Sequence, residues 1–387
     1  MDHVVRIDNG LIPKSEFIGL ENIVHLAAGG EAPMLKSHIE VVNRFMSDKA
    51  LAENSRVRMD DTVNRCKNKV ATLFNVAAED IALLSSSSEG INNLVYGLKW
   101  KPGDNVVACD VEFPSEILPW TRLKEKGVEI RIVRNRDWYV SLKDIERKID
   151  KRTKIVAISQ VSYFTGQRLP LAELSQMVRS SGALLCVDST HSAGVIPVEA
   201  KLADIMVASC YKWLLATHGV AIFYLNRDRL ENFDPPFLGW HSSVSIPDWK
   251  EPTVFELRAN ADRFEPGNHG FISVYVLDNA LEQILRIGVP EIEKHVLELS
   301  GQFWAGLEEL GFELMTPQHP SERAGNVCFM TQHIDAIVEA LKEKGILVWG
   351  GYAGVGRVRV STHLYNTSED VNRLLGALKE LPKSLKP

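Results

Sequence analysis

Short apolar runs recur through the middle of the chain, and amphipathic stretches separate them. The runs are continuous rather than alternating, which is typical of strands buried on both faces. The stretch 171–180 has the spacing of an amphipathic helix, and Gly182 is a stop signal for it. Strands that alternate with helices predict a mainly parallel sheet covered on both sides. The apolar runs are 106–109, 155–158, 184–187 and 205–208.

The pattern changes towards the C-terminal third of the chain. The run 220–225 follows its predecessor too closely for a parallel crossover and predicts an antiparallel strand. Two long helical stretches and two short apolar runs come next. A last helix is predicted from Ser368, as its N-cap, to Leu381. The helical stretches are 273–288 and 290–311, and the apolar runs are 327–330 and 358–361.

A chain of 387 residues is too long for one small core. We expect a large α/β domain at residues 26–270 and a small α+β domain at residues 271–387. Residues 1–25 are expected to pack on the small domain. No apolar run approaches the roughly 20 residues that span a bilayer. The start of the chain also lacks the pattern of a secretory signal, so a cytoplasmic protein is expected.

Charge and cysteine content exclude several functions. With 44 basic and 50 acidic residues the net charge is −6, which gives no electrostatic reason to bind nucleic acid. The five cysteines are scattered and form no C-x-x-C pair. This distribution predicts reduced, buried thiols rather than a disulfide framework or a metal site.

Three polar residues lie just after two of the apolar runs. Lys212 follows the run 205–208, where desolvation would lower its pKa and make its amine usable for an aldehyde cofactor. Asp188 follows the run 184–187, at the sheet edge where α/β proteins bind ligands. It either caps the next turn or pairs with a ring nitrogen of a cofactor. His191 is either a structural histidine or a donor to the same cofactor.

Two further segments suit an anionic ligand. Residues 85–88 are four serines between a strand end and a helix start, where free N–H groups and the helix dipole favour a phosphate. A plain helix cap is the alternative. Arg359 could clamp a carboxylate through two hydrogen bonds, or form an ordinary salt bridge. Arg357 lies on the same face of that strand and is a rival clamp.

Together, in this order and spacing, these residues resemble the class V aminotransferases of pyridoxal-5′-phosphate (PLP) fold type I. That group includes cysteine desulfurases, selenocysteine lyases, kynureninase and isopenicillin-N-epimerase-like proteins. The resemblance runs from residue 25 to the final helix. It implies an aspartate-aminotransferase-like α/β fold, with a mainly parallel seven-stranded sheet in the large domain. It also implies PLP as cofactor, an amino acid as substrate and a homodimer.

The resemblance assigns roles to individual residues. Lys212 matches the lysine that holds PLP as a Schiff base, and Asp188 matches the partner of the pyridine nitrogen. His191 matches the donor to the phenolic O3′, and Arg359 matches the substrate-carboxylate arginine. The other matches are phosphate contacts at Ser87, Ser88, Ser209 and Tyr211, a ring stacked on the pyridine at Phe113, substrate positions at Tyr163 and Ala28, and Asn268, which reaches the partner subunit's phosphate.

The chain departs from the family pattern at five places, and one of them is Asn268, which stands where the family usually has Thr but can still donate a hydrogen bond. Ala28 belongs to a pair that often contains Asn, so one carboxylate contact is expected to be missing. Phe113 replaces a His of many desulfurases, which removes any acid–base role of that His. Tyr163 stands where many members have Asn, and it either reaches the cofactor or fills the pocket. Residues 345–354 replace the loop that carries the nucleophilic cysteine of desulfurases, and they contain no cysteine.

The resemblance leaves the reaction open between β-elimination, transamination and epimerisation. We favour a C–S lyase-like β-elimination without a persulfide-forming cysteine. The alternatives are a class V aminotransferase, an amino-acid epimerase and a PLP-fold protein without catalysis. A nucleotide-binding dehydrogenase would need a G-x-G-x-x-G segment, which is absent. Trp349 and Tyr352, near the expected substrate entrance, indicate either a bulky apolar substrate or packing between domains.

Overall fold

A computed structural model describes residues 6–231, 233–352 and 354–386, except for the side chain of Tyr352. The strands in chain order are β1 (Val24–His25), β2 (Ile81–Leu84), β3 (Asn105–Cys109), β4 (Glu129–Val133), β5 (Thr153–Ser159), β6 (Leu184–Asp188), β7 (Ile205–Ser209), β8 (Ala221–Leu225), β9 (Asn326–Met330), β10 (Ile346–Leu347), β11 (Trp349–Tyr352) and β12 (Val355–Ser361). The α-helices are α1 (Ser37–Lys49), α2 (Asn54–Phe74), α3 (Ser87–Gly97), α4 (Pro114–Ile117), α5 (Leu142–Glu146), α6 (Leu171–Ser180), α7 (Phe271–Ile287), α8 (Val289–Glu309), α9 (Ile334–Glu343) and α10 (Ser368–Lys379).

The central sheet has seven strands in the order β2-β8-β7-β6-β5-β3-β4. Strand β8 is antiparallel to both of its neighbours, and the other ladders are parallel. The mainly parallel seven-stranded α/β sheet is therefore confirmed, and the run 220–225 does form the antiparallel strand. Residues of β3, β5, β6 and β7 are almost entirely buried, which explains why their sequences are continuously apolar.

Parallel strands bring their carboxyl ends to one edge of the sheet. Asp188 ends β6 and Ser209 ends the adjacent β7, so both lie at this edge. Helix α3 approaches the same edge closely because Gly90 has no side chain. A Cβ there would lie 2.7 Å from Val207 Cγ1. This packing brings the first turn of α3 next to the end of β7.

A second sheet, in the order β11-β12-β9, lies in the C-terminal part of the chain. One face carries Val358, Val360, Val327 and Phe329, which join a core with residues of α8, α9 and α10. The N-terminal strand β1 pairs with β10, and Leu11 N donates to Leu364 O. The division into domains after residues 25 and 270 stays a prediction. Residues 1–5 of the predicted N-terminal segment lie outside the described residues.

The last helix begins one residue earlier than expected. Ser368 is its first residue rather than its N-cap, and the cap is Thr367, whose hydroxyl accepts from Asp370 N. Asp370 completes the reciprocal pair by accepting from Thr367 N. Ser368 instead accepts a hydrogen bond from Ile7 N, a contact that the local sequence does not reveal. None of the described helices is long and apolar enough to cross a membrane.

Candidate active site

Lys212 lies three residues beyond β7 and is 8% exposed. Its Nζ is 3.3 Å from His191 Nε2. Burial lowers the pKa of this amine to about 8, and the charge of Arg359 acts in the same direction, while Asp188 opposes them. A substantial fraction of the amine is therefore neutral at slightly alkaline pH, which is the state that a nucleophile or base requires.

Asp188 is buried at the end of β6 and accepts a hydrogen bond of 2.7 Å from Thr190 N. Burial raises the pKa of this carboxyl, although the Thr190 hydrogen bonds and Lys212 partly offset the effect. No arginine, lysine or histidine among the described residues forms an ion pair with Asp188. A carboxylate in this state would be stabilised by a cationic ring nitrogen placed against it.

His191 has its tautomer set by two other residues. The indole N–H of Trp213 donates to His191 Nδ1 at 3.2 Å, and Asn326 Nδ2 lies 3.0 Å from the same atom. An indole can only donate, so Nδ1 is the acceptor and the proton of the neutral ring is on Nε2, facing Lys212. Burial holds the pKa of His191 well below its usual range, with Lys212 and Arg359 adding to the effect.

The serines at the start of α3 lie beside the end of β7. Ser87 Oγ is 2.8 Å from Ser209 Oγ, so these two predicted phosphate contacts are adjacent. Ser88 Oγ donates to Ser115 Oγ at 2.8 Å, which directs it towards α4. Ser86 is the N-cap of α3 and accepts from Glu89 N. The adjacent hydroxyls of Ser87 and Ser209, beside the N-terminus of α3, form a suitable site for a phosphate group.

Aromatic rings surround the lysine amine. The ring centroids of Phe113 and Tyr211 each lie 5.5 Å from Lys212 Nζ. Phe113 meets Tyr163 edge to face at 5.2 Å, and Tyr211 stacks on His218 at 4.0 Å. Phe113, the predicted stacking ring, and Tyr163 therefore belong to the same cluster as Lys212.

The two rival arginines have different surroundings. Arg357 is fully buried, donates through Nη1 to the carbonyls of Tyr163 and Phe164, and lies 5.6 and 5.1 Å from their ring centroids. Arg359 also donates to Tyr163 O, at 2.9 Å. Its buried Nε has no partner among the described residues, and neither do Nε and Nη2 of Arg357. Burial and the charge of Arg357 lower the pKa of Arg359 to about 9. A bound carboxylate would compensate this charge. Arg359, unlike Arg357, is also among the charges that lower the pKa of Lys212, so it stays the expected clamp.

Two predicted site residues, Ala28 and Asn268, make no polar contact with the other predicted site residues within the described chain. Ala28 is fully buried and its methyl group can donate no hydrogen bond. Asn268 accepts from Arg56 Nη1 at 2.6 Å, and no hydrogen bond joins it to Ser87, Ser209 or Lys212 within the described chain. The structure therefore places Asn268 outside the cluster around Lys212, which contains Asp188, His191, Phe113, Tyr163, Tyr211 and Arg359.

The sequence did not single out two buried carboxyl groups near Asp188. Glu112 accepts hydrogen bonds from the backbone N and the hydroxyl of Ser159, the residue paired with Asp188 across β5 and β6. Burial raises the pKa of Glu112 to about 7. Glu116 is fully buried, neither carboxyl oxygen has a partner among the described residues, and burial raises its pKa well above the usual range. Both side chains are acids in a segment that gives no local signal of burial.

The model of the family described as aminotransferase class-V matches residues 42–374. The chain belongs to this family. A probable cysteine desulfurase of Pyrococcus abyssi is 32% identical over 335 residues, which cover 82% of each chain. An uncharacterized aminotransferase of Schizosaccharomyces pombe is 26% identical and covers 93% of this chain and 92% of its own. The apo structure of a cysteine desulfurase from Thermococcus onnurineus NA1 superposes with a TM-score of 0.89 at 25% identity, covering 98% and 99% of the two chains.

This class V enzyme has PLP fold type I and uses PLP as its cofactor. The residues around Lys212 fit PLP. Lys212 offers a desolvated amine, Asp188 an unpaired buried carboxyl, and His191 an N–H donor of fixed position. Ser87 and Ser209 offer adjacent hydroxyls for the phosphate.

Proposed function

We propose that this class V enzyme cleaves the C–S bond of a small sulfur-bearing amino acid by β-elimination, without a persulfide-forming cysteine. The state of the cysteines carries the proposal. All five thiols are free and buried, and burial raises the pKa of each. A thiol nucleophile needs an accessible thiolate, which these environments disfavour.

Cys328 is the cysteine nearest in the fold to the proposed carboxylate clamp. It pairs with Arg359 across β9 and β12 and is 0% exposed. The two arginines lower its pKa, but burial has the larger effect and raises it. Cys328 lies on a regular strand rather than on a loop, which argues against transfer of sulfur to it.

The names of relatives support a sulfur-bearing substrate. The Pyrococcus abyssi relative is named a probable cysteine desulfurase, and the Thermococcus onnurineus structure is that of a cysteine desulfurase. Both act on cysteine by name, which makes an amino acid with sulfur on its β-carbon the best candidate. The Schizosaccharomyces pombe relative, named an aminotransferase, supports transamination as the second candidate.

In this proposal different residues bind the cofactor, bind the substrate and transfer the proton. Ser87, Ser209, Asp188 and His191 hold the phosphate, the ring nitrogen and the phenolic oxygen of PLP, which supplies an electron sink for charge developing at the substrate Cα. Arg359 holds the substrate carboxylate and so fixes which Cα bond is perpendicular to the cofactor ring. Lys212 Nζ, with its pKa of about 8, accepts the proton from Cα.

The overall reaction balances with water as co-reactant. An S-substituted cysteine loses its thiol as the Cβ–S bond breaks, and the electron pair of the Cα–H bond forms the new Cα–Cβ double bond. Protonation at Cβ and hydrolysis then give pyruvate and ammonium. The products are therefore one thiol, one pyruvate and one ammonium ion for each amino acid and water consumed.

Product analysis tests the proposal. PLP-loaded protein is mixed with L-cysteine, L-cystine, S-substituted cysteines and other L-amino acids while its visible spectrum is recorded. We expect pyruvate and ammonium from the sulfur-bearing members, and none from the Lys212→Ala variant. Conversion of the cofactor to its pyridoxamine form, with the matching keto acid, would make the enzyme a transaminase. A persulfide on Cys328, detected by mass spectrometry of alkylated protein, would contradict the absence of sulfur transfer.

The arginine assignment has its own test. We expect Arg359→Ala to lower kcat/KM for amino acids by at least about a hundredfold, since charged hydrogen bonds contribute about 1.5–3 kcal/mol each. Arg357→Ala is expected to lower thermal stability, because its donors hold the Tyr163–Phe164 turn. An intact kcat/KM in Arg359→Ala together with its loss in Arg357→Ala would reverse the assignment.

We also propose that the enzyme is a homodimer in which Asn268 reaches the partner subunit's phosphate site. The segment 237–255 exposes eight large apolar side chains, and exposed apolar clusters of this kind mark interaction surfaces. These are Phe237, Leu238, Trp240, Val244, Ile246, Trp249, Val254 and Phe255. Sedimentation of the wild type and of Ile246→Asp tests this, and a wild-type monomer would refute it.

A further inference from the structure

Trp349 lies on the same face of the small sheet as the proposed carboxylate clamp. The β11–β12 register pairs Trp349 with Arg359. Side chains of directly opposite residues in antiparallel strands point to one face, with Cβ atoms about 5 Å apart. The next residue, Gly350, belongs to the other face, where a Cβ would meet Val338 of α9. The indole is therefore directed away from the small core and towards the site.

The indole of Trp349 packs on the backbone of the N-terminal loop. A Cβ on Gly30 would lie 2.2 to 2.7 Å from three ring carbons of Trp349, so the ring rests directly on this glycine. At Gly29 a Cβ would lie 3.1 Å from Arg359 Nε. The ring and the guanidinium thus flank two consecutive glycines. Neither glycine has a positive φ, so space rather than backbone conformation accounts for the missing side chains.

Arg359 and Trp349 differ in solvent exposure, and the exposed part of Trp349 leaves room for a ligand beside Arg359. Arg359 is 2% exposed, whereas Trp349 keeps 37% of its surface accessible. A large aromatic side chain that is packed on one side and open on the other offers an apolar contact surface beside the clamp. Aromatic surfaces favour apolar and planar groups, through area burial and through ring geometry.

We infer that Trp349, resting on Gly30, forms the wall of a side-chain subsite that selects amino acids with an apolar, planar side-chain end, such as S-aryl or S-benzyl cysteines. The inference rests on the proposed function, because it takes Arg359 as the residue that fixes the substrate carboxylate. A carboxylate held there leaves the substrate side chain within reach of the neighbouring indole. A second charged group would lose hydration against this wall without gaining a partner.

Binding of two amino acids that carry no β-leaving group tests the inference whichever reaction the enzyme catalyses. Dissociation constants of L-phenylalanine and L-alanine are measured from the change in visible absorbance of bound PLP after rapid mixing. We expect Trp349→Ala to raise the phenylalanine constant relative to the alanine constant about three- to tenfold, the range for one aromatic contact. Trp349→Phe should restore most of the preference.

Two further variants separate the subsite from general damage. Gly30→Ala leaves Trp349 in place but displaces its ring, so it should reduce the preference as Trp349→Ala does. Trp100→Ala removes a partly exposed indole beyond the far end of α3 and should leave the preference unchanged. Circular dichroism confirms folding of each variant.

The outcomes are distinguishable. An unchanged ratio in both Trp349→Ala and Gly30→Ala, with a normal spectral response, would overturn the subsite and leave the proposed function standing. An equal loss of preference in Trp100→Ala would also overturn it. A wild-type spectrum that responds to alanine but not to phenylalanine, or to neither, would also overturn the subsite, whereas the proposed function fails only if no sulfur-bearing amino acid yields pyruvate in the product assay.

Discussion

Replacing Lys212 with methionine removes a buried amine and leaves an unbranched side chain of similar length. The wild-type amine has a pKa of about 8 in the folded protein and an ordinary value of 10.5. Burial of the charged form is the main cause of this difference. The substitution should therefore change the free energy of unfolding of the cofactor-free protein in a way that depends on pH.

The magnitude follows from proton linkage. Below pH 8 the amine is charged in both the folded and the unfolded state, and the buried charge destabilises the folded state by about 3 kcal/mol. As the pH rises from 8 to 10.5, the folded protein loses the proton first and this destabilisation declines. Above 10.5 the amine is neutral in both states and the contribution is absent. Cofactor-free Lys212→Met should thus be more stable than the wild type at pH 7, by up to about 3 kcal/mol.

Urea unfolding at pH 7, 8, 9 and 10.5 measures the difference, at one protein concentration because an oligomer would make stability concentration-dependent. Lys67 provides a matched control, since it is also buried but pairs with Asp262 at 2.5 Å and Glu265 at 2.7 Å. Lys67→Met should lose about 3 kcal/mol at pH 7, the lower end for a broken buried ion pair, because the buried Glu265 and the half-buried Asp262 lose the cation that they share. The change from lysine to methionine should therefore raise the free energy of unfolding at Lys212 and lower it at Lys67.

A stability difference between Lys212→Met and the wild type that does not change between pH 7 and 10.5 would refute the reasoning. It would mean that the Lys212 amine titrates alike in the folded and unfolded states. A constant offset would remain for the different packing of methionine, so the change with pH is the decisive quantity.

Three other substitutions test the remaining interactions. Ser87→Ala should weaken PLP binding about tenfold, as expected for one hydrogen bond to a charged phosphate, and an unchanged affinity in a PLP titration would exclude this contact. Trp213→Phe removes one of the two donors to His191 Nδ1 and leaves Asn326, so the tautomer is held less firmly. The apparent pKa of bound PLP in a spectral titration should therefore rise, while Trp100→Phe should not change it. Thr367→Ala removes the capping box and should lower the free energy of unfolding by about 1 kcal/mol in urea, with no effect on PLP affinity.

Local patterns in the sequence predicted much of the large sheet. Strands β3, β5, β6 and β7 and helix α6 lie where continuous apolar runs and helical spacing placed them. Such patterns work because burial on both faces constrains every residue of a strand. Strand β4 escaped notice because it is an edge strand whose side chains are partly exposed, so it carries no continuous apolar run.

The order of Lys212, Asp188, the serine run and Arg359 along the chain was enough to indicate the family and the cofactor. Only the tertiary structure decided the pKa values, the tautomer and the contacts of these residues. Asn326 lies 135 residues from His191 yet contacts its Nδ1, and Trp349 meets Arg359 and Gly30 only through sheet register and loop packing. Sequence specifies which chemical groups are present, but pKa values and tautomers depend on desolvation and partners that distant segments supply.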